Sequence, residues 1–135
     1  MIGFEALSGW LAAAVVLGAA SVPTLHRLTA GKRATLVSRT IRSHVVVGIT
    51  ASAFAFVHTL AIIPALGSPA AIGGGTIALA SGAVAFLLLV AHVGVGLKLR
   101  NPKLKERVST RRTHVFLATL IGAAVVGHAV LILRG

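Results

Sequence analysis

Cysteine is absent from the 135-residue chain, which excludes disulfides, thiolate-ligated iron–sulfur clusters and a CxxCH site for covalently attached haem. Acidic side chains are nearly absent too: Glu5 and Glu106 stand against thirteen lysines and arginines. Neither lies deep in an apolar stretch, so a carboxylate-based proton path through a membrane lacks its usual carriers. Charged residues make up 11% of the chain and hydrophobic ones 56%, a balance too apolar for a soluble domain.

Four apolar stretches, roughly 2–22, 43–66, 72–97 and 113–133, are long enough to span a hydrocarbon core of about 30 Å, and little lies outside them. The first lacks a positive n-region, carries Glu5 and is longer than a signal-peptide core, so it reads as a retained helix. The expected fold is therefore all-α: an integral membrane four-helix bundle forming one domain over 1–135, with no room for a nucleotide-binding fold. A net charge of +11 would suggest nucleic acid in a soluble protein, but here the charges sit in loops beside apolar spans, so no nucleic-acid partner is expected. Arg27, Lys32, Arg33, Arg39 and Arg42 lie between the first two spans. Lys98, Arg100, Lys103, Lys105, Arg107, Arg111 and Arg112 lie between the last two. Short basic loops stay on the cytoplasmic side, which sets both termini and the neutral 64–75 connection outside and makes helices two and four parallel.

Pro23 and the Gly31-Lys32-Arg33 run are expected to end the first helix; Pro64, Gly67, Pro69 and the Gly73-Gly74-Gly75 triplet mark the outer turn, and Asn101-Pro102 breaks the second basic loop. Shifting the chain by 70 residues aligns Arg42-Ser43-His44-Val45 with Arg112-Thr113-His114-Val115, and His58 with His128. The halves read as duplicated helical hairpins related by a pseudo-twofold, an arrangement that builds sites at the interface between repeats.

The matched residues are histidines, which are costly in a bilayer and usually line a site there or find a protein partner. His44 and His58 are fourteen residues apart, as are His114 and His128. Fourteen residues fall about 40° short of four turns, so each pair shares a helix face, separated by about 21 Å along the axis. With helices two and four parallel, His44 is level with His114 and His58 with His128. Each level can present two neutral imidazoles to opposite sides of one haem iron, filling both axial positions and favouring electron transfer over ligand chemistry. Between the ligands helix two offers Gly48, Ala51 and Ala55, small residues that give a flat macrocycle clearance and equally serve plain helix packing. Helix four offers Ala118, Ile121 and Val125 on its matching face.

The His-x13-His pattern on two alternate helices of a four-helix unit resembles that of the cytochrome b family and its smaller bacterial four-helix relatives, over roughly residues 40–130. The resemblance implies two non-covalent b-type haems, with His44 and His114 as axial ligands of an inner haem and His58 and His128 of an outer one. It implies transmembrane electron transfer in a multi-pass protein of a bacterial or archaeal cytoplasmic membrane, exchanging electrons with quinone or a redox partner protein. The chain departs from the family in its very short connections and in having no recognisable quinone-site motif. The resemblance implies either an oxidoreductase in its own right or the cytochrome subunit of a larger one.

Other polar residues leave alternatives open. His92 can replace a member of the inner pair, line a quinone pocket, or simply pack against a carbonyl; His26 reads as a solvated interfacial residue. Arg42 and Arg112 stand two positions before the inner ligands, where they can meet haem propionates or anchor the membrane edge. Glu5 reads as a solvated carboxylate or an outer proton acceptor, and Trp10 and Phe4 as interface anchors or packing for the outer haem. The competing class is a haem-free small transporter or an assembly or anchor subunit whose histidines relay protons or bind metal, although two histidines at each level fall short of a closed zinc site.

Overall fold

A computed structural model describes residues 3–66 and 75–134. Four helices account for nearly all of them: α1 (Phe4–Ala30), α2 (Arg39–Ile62), α3 (Gly75–Leu99) and α4 (Arg107–Arg134), with a short 3₁₀ turn, Ile63–Ala65, after α2. The all-α class is thus present, and each helix is long and apolar enough to cross a membrane. The shortest has 24 residues, about 36 Å at 1.5 Å per residue, which exceeds the hydrocarbon thickness. Lipid offers no hydrogen bonds to a backbone, so valine-rich stretches that would be middling helix formers in water satisfy their peptide groups best as continuous helices. At most 17% of any span is buried within the protein, and large apolar side chains such as Trp10, Phe56, Leu87, Phe116 and Leu133 point outward, as contact with a lipid bilayer requires.

The helix ends follow local chemistry. Gly31 closes α1 in the left-handed region (φ 64°), its N–H reaching Arg27 O at 3.1 Å. Ser38 caps α2: its Oγ accepts the Ile41 N–H and its carbonyl the Arg42 N–H. Between α3 and α4 the Asn101 side chain accepts the Lys103 N–H, forming the turn expected at Asn101-Pro102. The Arg107 guanidinium donates to the carbonyls of Leu99 and Asn101, so one of the seven basic residues of that connection ties the end of α3 to the start of α4. Pro64 lies in the 3₁₀ turn; Gly67, Pro69, Gly73 and Gly74 of the expected outer turn lie outside the described residues.

One boundary differs from expectation. Pro23 does not end the first helix but lies inside α1, which runs seven residues further, to Ala30. A proline inside a helix removes one hydrogen bond and crowds the preceding turn, yet α1 continues through 24–30 to the left-handed cap at Gly31.

The chain divides into two compact units, Met1–His58 and Thr59–Gly135. In the first, α1 runs antiparallel to α2, with His26 near Thr40, Ala19 near His44 and Ser8 near His58. Its buried positions are Ser8, Ala12, Ala19 and Ala51, all small, so the two backbones approach closely. In the second, α3 runs antiparallel to α4, and Ala78, Ala85, Leu89, Thr110 and Ile121 are buried.

Candidate functional site

Four histidines in the two hairpins are held by the helix that precedes their own, and at one end of each hairpin the same device appears twice. In the first, Ser8 Oγ donates to the Glu5 carbonyl at 2.9 Å, one turn back along α1. Its proton is thereby committed, and the oxygen accepts from His58 Nδ1–H at 3.1 Å. The next residue is Gly9, where a Cβ would come within 2.9 Å of His58 Cε1; the imidazole lies directly against backbone that only glycine leaves clear. In the second hairpin Ser81 Oγ donates to the Ala78 carbonyl at 2.7 Å. His128 Nδ1 lies 2.8 Å from that carbonyl and 3.3 Å from Ser81 Oγ. Gly82 stands against His128 as Gly9 does against His58, again at 2.9 Å from Cε1.

At the other end the hairpins part. His44 Nδ1 donates to the Ala19 carbonyl at 2.9 Å. His114 instead has the ring of His92 stacked on it, centroids 3.7 Å apart and planes 16° from parallel. A Cβ on Gly96 would lie 3.1 Å from His114 Cε1. His92 is therefore a neighbour of one expected ligand from within the same hairpin. His26, expected to be solvated, bonds Thr40 at 3.2 Å across the first hairpin.

The contacts to carbonyls and to a committed serine fix the tautomer of three histidines. A carbonyl accepts only, so Nδ1 of His44 and of His128 carries the proton, and the Ser8 geometry assigns the same to His58. In a neutral imidazole with Nδ1–H, the lone pair is on Nε2. A metal-binding histidine is oriented in this way, its far nitrogen donating to a backbone carbonyl or other acceptor while the near one ligates. An imidazole held in this way is chemically suited to ligate a metal or haem iron through Nε2, and the glycines make room for the imidazoles themselves.

The remaining expected site residues are scattered. Gly48 faces open space, whereas Ala51 is 1% exposed and Ala55 is half-buried. Arg42 lines an open groove of about 470 Å³ with Arg39, Ser43, Val46 and Val47. It lies two positions before His44, about 200° around the helix, so its side chain and the histidine leave α2 on different sides. Arg112, Glu5, Phe4 and Trp10 are exposed. His44 and His58 belong to one unit, and His114 and His128 to the other.

No protein-family model matches the chain, and no curated protein or solved structure is significantly similar to it.

Sequence reasoning found the histidines but missed their supports: Ser8, Gly9 and Ala19 on α1, and Ala78, Ser81 and Gly82 on α3. A signal was present. The 70-residue shift that aligns α2 with α4 sets Ser8 on Ala78, but a shift of 73 sets Ser8-Gly9 on Ser81-Gly82, Ala12 on Ala85 and Ala19 on His92. Two offsets are needed because Ser8 and His58 are 50 residues apart while Ser81 and His128 are 47 apart. The stretch of chain from support to histidine is three residues shorter in the second hairpin.

Proposed function

We propose that this protein is a membrane cytochrome that carries electrons across the bilayer through two bis-histidine b-type haems, His44 and His114 holding one and His58 and His128 the other. The observation that carries the reading is the common tautomer: His44, His58 and His128 each commit Nδ1–H to an acceptor on the preceding helix, which leaves Nε2 as the basic nitrogen. A core histidine that served packing alone would have no reason to repeat one orientation against the same serine–glycine pair in both halves. When bound, haem iron supplies a one-electron couple, and two imidazole ligands leave it no open position for oxygen.

The residues around the ligands have separable roles. Ser8 and Ser81 orient the imidazoles, and Gly9 and Gly82 let the rings approach their supporting helices. Gly48 leaves clearance on α2. Arg42 and Arg112, in the first two turns of α2 and α4, add positive charge at the end of the helices where the carboxylates of that haem would lie. The positive-inside rule puts both basic connections on the cytoplasmic side, making His44 and His114 the inner pair and leaving both chain termini outside. Quinone or a redox partner subunit would then exchange electrons at the helix ends, since the described chain is almost entirely transmembrane helix.

The test is an oxidised-minus-reduced visible spectrum of detergent-purified protein with haem quantified per chain. Two low-spin six-coordinate b-type haems are expected. One haem would restrict ligation to one level. No haem, after expression with ample haem supply, would overturn the reading in favour of a haem-free transporter or anchor subunit.

A further inference from the structure

Pro23 stands four residues after Ala19, at the position whose N–H would close the α-helical hydrogen bond to the Ala19 carbonyl. Proline has no N–H, so α1 cannot make that bond. Ala19 is 8% exposed, and a buried carbonyl left without a donor is costly. The neighbouring hydroxyl does not supply one, because Thr24 Oγ1 donates to Ala20 O instead. The donor that reaches Ala19 O is the imidazole of His44, at 2.9 Å.

We infer that Pro23 is a positioning residue for His44: by withholding its own amide it reserves the Ala19 carbonyl for the imidazole, fixing the Nδ1–H tautomer and the direction of Nε2. The inference rests on the proposed ligation by His44 and deepens it. It also explains why a proline sits inside a membrane helix that does not end there. The device is confined to the first hairpin. The position equivalent to Pro23, 73 residues on, is Gly96, which keeps its N–H, and the residue equivalent to Ala19 is His92. The second hairpin therefore offers its inner histidine a stacked ring where the first offers a reserved carbonyl.

The experiment compares Pro23→Ala and Pro23→Gly in the full-length, haem-loaded protein. Both restore an amide that competes for Ala19 O, but they differ by about 1 kcal/mol in helix propensity, so an effect of the amide is equal in the two while an effect of helix stability is not. A partner that accepts from the distal nitrogen of a ligating histidine raises the basicity of the ligand. Weakening it should move the midpoint potential of the His44 haem upward and loosen that haem about tenfold or more, alike in both variants, with the other haem unmoved. His44→Ala identifies which haem is which. In the haem-free protein, ¹⁵N imidazole shifts should show His44 as Nδ1–H, with the Nε2–H fraction rising in Pro23→Ala. Unchanged potentials and an unchanged tautomer, or shifts that follow helix propensity, would overturn the role of Pro23 while leaving haem ligation intact. A wild-type protein that binds no haem would overturn the ligation reading and this inference with it.

Discussion

The two hairpins are alike at one end and unlike at the other. Ser8-Gly9 holds His58 as Ser81-Gly82 holds His128, down to the same 2.9 Å approach of a notional Cβ to the ring. At the far end, Pro23, Ala19 and His44 of the first hairpin correspond to Gly96, His92 and His114 of the second, and no residue type but the ligand is kept. The supports differ in kind: a backbone carbonyl accepts a directed bond, whereas a stacked imidazole constrains the plane of its neighbour. A duplicated scaffold can thus keep one site symmetric and differentiate the other without moving a ligand. Under the proposed ligation, the two ends should tune their haems differently for that reason.

The largest effects should come from the ligands themselves. His58→Ala and His128→Ala should each abolish one haem and spare the other, and the two spectra should coincide if the outer end is as symmetric as its contacts; haem per chain and the visible difference spectrum measure this. Retention of both haems in either variant would break the comparison at its strongest point. Next, Gly9→Ala and Gly82→Ala each force a methyl against a ring and should destabilise the protein by about 1–3 kcal/mol, read as a lower thermal midpoint in detergent. Gly18→Ala, where a Cβ meets nothing within 4 Å, should instead be neutral or stabilising by up to about 1 kcal/mol. A comparably small effect is expected for His92→Ala, which gives the second hairpin the residue of the first. Loss of the stacked ring should cost about 1 kcal/mol and alter the low-spin electron paramagnetic resonance signal of the inner haem only. A change at the outer haem would mean that the ends are not independent.

The fold class was legible because membrane helices announce themselves by length and apolarity, and the four apolar runs correspond to α1–α4. The end of α1 was not. Pro23 is a helix breaker where water can take up the released carbonyl, but in an apolar setting another donor must come, and that donor, His44, lies 25 residues away in sequence. The histidine spacing was legible because a fourteen-residue interval on one helix is local geometry. The supports were hidden by a three-residue difference in the stretch of chain between them and their histidines, which gives α1 and α3 a different offset from α2 and α4; a search at one fixed shift aligns either the histidines or their anchors. Ala51 shows the limit of composition: a small side chain serves clearance for a cofactor and close helix packing alike, and its burial is compatible with both.

Every imidazole anchor described above closes within its own hairpin. The order of assembly follows. Each half-chain carries the contacts that orient its own histidines, His44 and His58 in the first and His128 in the second, so capture of the proposed haems would need no refolding of either half. Cutting the chain within 67–74 and co-expressing the fragments should therefore still yield a pigmented complex, and an ancestral single hairpin could have worked as a pair of identical copies.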